Sequence, residues 1–182
     1  VAANHGDIGS NAVDLSYSSS ASTTNGATGA ASTAMGGGTT ASGSRSTAMG
    51  GGTTASGSRS TAMGSGTEAS ASYSTAMGFF TTASGIFSTA MGNVTTASGA
   101  GSTAMGYNTE ASGYYSTAMG FETTASASYS KAMGRNTTAS DYGSLVIGQF
   151  NSSGSSATSA TSFNTANTAF VIGNGLGQGV DA

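Results

Sequence analysis

Catalysis would have to rest on very few residues. The chain holds one histidine, His5, with Asp7 two positions away, in a sequence rich in serine. A nucleophilic hydroxyl needs an oriented base and a strained strand-to-helix elbow. Nothing in the spacing around His5 supplies either, so His5 is read as a surface or cap residue and no catalytic residue is assigned. Cysteine is absent, which removes thiolate zinc sites, thiol nucleophiles and disulfides. Calcium-binding β-rolls place an aspartate in every repeat; this chain does not, and no metal or cofactor is expected. Gly36-Gly37-Gly38 superficially resembles a phosphate loop, but no lysine follows it. Four Lys and Arg residues among 182 are too few for a phosphate-binding stripe, which argues against nucleic acid.

Aromatic side chains are the more promising chemistry. Ten of the 14 Phe and Tyr residues fall in two short variable stretches that recur along the chain. Phe79, Phe80, Tyr107 and Phe121 lie in the first, and Phe87, Tyr114, Tyr115 and Tyr129 in the second. Exposed rings of this kind can anchor a partner, and these eight form the candidate ligand-binding set. They could equally pack between subunits or over their own chain. Arg45, Arg59, Glu68, Glu110 and Glu122 occupy neighbouring variable slots and read as a solvated surface.

These residues are positioned by a repeat. Met35, Met49, Met63, Met77, Met91, Met105, Met119 and Met133 are each separated by 14 residues, and Ile147 stands one period further on. The unit reads S-T-A-M-G-x-x-T-x-A-S-x-x-x, and eight copies run from Ser32 to Gly143 with no insertion. A linker drifts in register; an array this regular must stack copy on copy. The ends are irregular. Asp7-Ile8-Gly9 fits the Met-Gly slot one residue out of phase, and Ile172 follows Ile147 by 25 residues, implying an insertion around 155–165. The chain therefore divides into degenerate coils or a cap over 1–31, a regular array over 32–148, and an insertion with a final coil over 149–182.

Fourteen residues suit two short strands and two turns. Helix is disfavoured by glycine about every seven residues and by the Ser/Thr content. The expected fold is all-β, a parallel β-solenoid of 14-residue coils. Leu, Ile, Val and Phe total 20 of 182 residues, well below the ~20% of an ordinary domain. The methionines, with Ile147 and Ile172, are expected to form the structural core beside two alanines per coil. Such a thin interior would leave one roll marginal, so a second buried face, that of Ala48, is expected to join identical chains side by side. No apolar run approaches the ~20 residues of a membrane helix, and no secretory leader opens the chain.

The repeat resembles the YadA-like head of trimeric autotransporter adhesins, whose coil reads S-V-A-I-G-x-x-(small)-x-A-x-G-x-x. Ser144-Leu145-Val146-Ile147-Gly148 comes near that form, and S-T-A-M-G is a variant of it. The resemblance implies a left-handed parallel β-roll assembled as a parallel homotrimer. It implies exposure on the bacterial cell surface, anchored to the outer membrane through a stalk and barrel outside this fragment. It also implies attachment to host extracellular matrix or cells, without catalysis. Two alternatives are a structural solenoid, such as a phage tail or surface-layer component, and an ice-binding solenoid. The second suffers because Thr53 and Thr54 are adjacent and point to opposite faces, and because Glu replaces the second threonine at Glu68 and Glu110.

Overall fold

The computed structural model describes residues 6–19, 22–151, 159–162, 166 and 168–174. His5 lies outside them, as does most of the expected insertion. The chain winds as a parallel β-solenoid. Each regular coil contributes one five-residue strand, such as Thr47–Gly51, and one two-residue strand, such as Thr54–Ala55. The long strands stack into an eleven-stranded sheet and the short ones into an eight-stranded sheet. Register is strict: Met49 pairs with Met63, Met63 with Met77, and so along the array. A shift of one residue would turn every side chain to the other face.

The faces are the reverse of those expected. Ala48, Ala55 and their counterparts are fully buried, and Ser46 and Thr53 lie with them between the sheets. Thr47 and Met49 point away from the interior and are only partly covered. The methionines thus do not form the core of the roll: Met35 is 39% exposed and Ile172 is 65% exposed. The same correction applies to Met49, Met63, Met77, Met91, Met105, Met119, Met133 and Ile147, all on the outer face of the long-stranded sheet. The physical reason is perimeter. Fourteen residues spent on two strands and two turns hold the sheets too close for a thioether; Ala, Ser and Thr fill the regular coils, and Val146 takes the alanine slot at the C-terminal end.

The interior is accordingly polar as well as small. Ser60 Oγ donates to the Gly57 carbonyl at 2.7 Å and Ser130 Oγ to that of Ala127 at 2.7 Å, tightening the turn before the long strand. Other buried hydroxyls are unpaired: Ser46, Ser88, Ser102, Ser116 and Ser144 of the same serine column lack a hydrogen-bond partner, as does every hydroxyl of the Thr39-to-Thr137 column. An unpaired buried hydroxyl costs on the order of 1–3 kcal/mol. Thr95→Val keeps the shape and removes that cost. It is expected to raise unfolding stability by about 1 kcal/mol, read as a higher denaturant midpoint at unchanged m-value. A lower midpoint would mean that the hydroxyl is bonded in solution.

The ends depart from the sequence reading at one place. Leu15, in the strand Val13–Tyr17, pairs with Met35 and takes the outward slot. Gly9 instead donates its N–H to the Ala27 carbonyl at 2.9 Å, as Gly29 does to Ala41. Ile8-Gly9 therefore corresponds to the Ser-Gly that opens the second turn, not to Met-Gly. At the other end Phe170–Asn174 pairs with Leu145–Gln149, which sets Ile172 beside Ile147. Two side chains secure this end. Asn151 accepts from Thr138 N at 2.7 Å and donates to Thr138 O at 3.0 Å, standing in for a further short strand. The buried Asp141 accepts from Thr168 N at 3.1 Å, tying the returning segment to the roll.

Candidate functional site

Two turns per coil carry the side chains that vary. The first follows the long strand, as in Tyr107-Asn108, and the second precedes the next long strand, as in Tyr114-Tyr115. Each contains one residue in the left-handed region. In the first turn this residue is Gly38, Gly52 and Gly66 in the early coils, then Phe80, Val94, Asn108, Glu122 and Asn136. For a β-branched residue such as Val94, at φ 53, that conformation is a real outlier. The stack holds it in place: Val94 N donates to Phe79 O and Asn108 N to Asn93 O, both at 2.9 Å. Glycine would be relaxed at these positions, so the later coils accept strain in order to display side chains.

The eight predicted aromatics lie on these turns, 40–61% exposed. They do not converge on one site. The two turns lie at opposite edges of the roll, and the rings form a separate row along each. On the first edge Phe79 meets Phe80 edge to face at 4.4 Å, and Tyr107 stacks on Phe121 at 5.0 Å with planes 8° apart. On the second edge Tyr73 stacks on Phe87 at 4.9 Å. Tyr114, Tyr115 and Tyr129 cluster beyond it, with Tyr115 parallel to Tyr129 at 6.0 Å. Stacked partners are one period apart, because parallel in-register coils set equivalent residues near the ~4.8 Å strand spacing. The Tyr115 hydroxyl, then the charge it would carry, raises the Tyr114 phenol above its ordinary value of 10.

Several contributors were absent from the predicted set. Tyr142 meets the Tyr129 ring at 5.4 Å. Arg59 lies over Tyr73 at 5.2 Å and donates to its hydroxyl at 2.7 Å. Arg135 reaches the rings of Phe121 and Phe150. Their signal was available: Arg135 occupies a variable slot one period from Phe121, and Arg59 and Tyr142 occupy variable slots two periods from Phe87 and Tyr114. The acidic residues have a different setting. Glu110 and Glu122, with Asn108, Thr96 and Thr124, line an open polar depression beside the first edge, and Asn136 Nδ2 donates to Glu122 at 2.6 Å. Among the described residues no cluster of His, Asp and Glu could hold a metal ion, and no helix is long and apolar enough to cross a membrane.

Comparison with known proteins agrees with the geometry. The family model described as "YadA head domain repeat (2 copies)" matches residues 27–53, 55–81, 83–109, 111–130 and 125–151. No curated protein matches the chain. Successive matches begin 28 residues apart through residue 111, two coils at a time.

Proposed function

The chain belongs to the YadA head repeat family, an adhesin-type domain of bacterial surface autotransporters, and from that premise we propose that it is the adhesive head of a parallel homotrimer. The head stands on the outer membrane through a stalk and anchor and attaches the cell to host extracellular matrix or host cells, without catalysis. Left-handed winding follows the family. Assembly uses the outer face of the eleven-stranded sheet, where the methionine column offers an apolar surface the roll itself only partly covers. Attachment uses the turn residues, chiefly Phe79, Phe80, Phe87, Tyr107, Tyr114, Tyr115, Phe121 and Tyr129.

The observation that carries this reading is the exposed double row of rings on a family scaffold. Flat aromatic side chains held rigid by stacking lose little freedom when a partner covers them. Immobilised matrix proteins and cultured host cells provide the test. The head is expected to bind with a mass three times that of the chain by light scattering. Tyr115→Ser with Tyr129→Ser should weaken binding at least tenfold, at unchanged circular dichroism. Unchanged binding by that variant would remove the rings from the contact. A head that binds no host component would overturn the adhesive reading.

A further inference from the structure

One residue breaks the outer face of the long-stranded sheet. Its outward slots repeat Thr and Met through seven successive coils. In the strand Lys131–Arg135 the threonine slot holds Lys131, between Thr117 on one side and Leu145 on the other. Arg135, two slots along, is engaged at the first edge by Phe121 and Phe150, which leaves Lys131 as the charge on the apolar part of the face. No carboxylate shares that face: the one acid in the eleven long strands, Asp14, sits in an inward slot and accepts from Ser16.

We infer that Lys131 builds an inorganic-anion site on the threefold axis, one ammonium from each chain around a single tetrahedral oxyanion. The inference rests on the trimeric reading above, since the site is incomplete without the partner copies. Three parallel rolls related by a threefold axis bring their Lys131 residues to one height. An ammonium removed from water must be neutralised or it destabilises the assembly by several kcal/mol. The face supplies no carboxylate, and three converging cations repel one another, so the compensating charge must come from solution. A sulfate or phosphate ion has threefold symmetry of its own: three equivalent oxygens meet the three ammoniums through short charge-assisted hydrogen bonds, and the fourth lies along the axis. Lysine, a compact point charge with three rotatable donors, suits such a site.

The test uses the whole head, with inorganic sulfate as the probe at fixed ionic strength. Lys131→Thr restores the residue of the other coils and so preserves the fold. Light scattering first establishes the oligomer, and melting is then followed as sulfate is added. At a hundredfold excess over its dissociation constant, sulfate should raise the wild-type Tm by roughly 2–4 °C beyond any rise in Lys131→Thr. Without sulfate, Lys131→Thr should melt above the wild type. Trimers of both proteins that respond alike would overturn the anion site and leave the assembly standing. A chain that remains monomeric would overturn the assembly and the site with it. Destabilisation by Lys131→Thr with no sulfate response would assign the ammonium to a partner carboxylate and equally overturn the proposal.

Discussion

Gly106→Ala is expected to unfold the roll locally or prevent its folding, with a loss of about 3–5 kcal/mol when φ strain and steric overlap are added. Gly106 has φ +128, and a Cβ at that position would collide with the carbonyl oxygen of Gly120 in the next coil. That oxygen belongs to the backbone of an adjacent strand and cannot swing aside. The same glycine recurs after every regular methionine, at φ values from 108 to 131. It lets the long strand turn its chain sharply while the next coil lies directly against it.

A control comes from the chain itself. Gly99, in the second turn, would also drive a Cβ into a backbone oxygen, that of Gly113. Yet the equivalent slots hold Ala71 and Ala127, and neither is among the positive-φ residues. At that slot the contact can relax. The N–H groups of Ser98 and Gly99 share the Ala111 carbonyl at 3.0 and 3.2 Å, and one bond of such a pair can lengthen while the other remains. Gly99→Ala should therefore cost less than Gly106→Ala by at least about 2 kcal/mol, a difference in which φ strain is the larger part. Chemical denaturation of the two variants measures it. Equal losses would mean that overlap alone, not backbone conformation, fixes the glycine after methionine.

These two slots also illustrate what the sequence could convey. The period was legible because Met and Gly mark every copy at one phase, and register followed from the period alone. Which face lies inside was not given by alternation, since Thr47-Ala48-Met49 alternates equally well either way. Apolar size pointed to methionine as core. The deciding constraint was the perimeter of a 14-residue coil, and its trace in the sequence was the uniform smallness of the Ser46, Ala48, Thr53 and Ala55 slots. The N-terminal coil was misread for a related reason. Ile8-Gly9 imitates a large residue before glycine, but the ladder places Leu15 opposite Met35, and Leu15 has Ser16 where the motif requires glycine. The aromatic turns were legible as surface. Their division into two rows was not, because the slots are only six to eight residues apart along the chain and are separated by the width of the sheets.

The inversion of the faces yields the second large effect. Met105 lies outside the roll and only partly covered, so Met105→Glu should cost an isolated chain little: a carboxylate at a half-exposed position keeps much of its hydration. In a trimer assembled through this face, three such carboxylates approach one another near the axis, away from water. Uncompensated buried charge costs several kcal/mol per ion, and like charges side by side add to it. Met105→Glu should therefore convert the trimer to a folded monomer at micromolar concentration, with the β-sheet circular dichroism retained. Met105→Leu, which keeps the apolar volume, should remain trimeric. Had the methionines filled the interior of the roll, the outcome would be different: Met105→Glu would abolish the circular dichroism signal at any concentration, because the coil could not close around a charge. Mass by light scattering and secondary structure by circular dichroism, measured on one sample, separate the two arrangements. A Glu variant that stays trimeric with unchanged Tm would place the interface on another face and leave the methionine column as solvent-exposed surface.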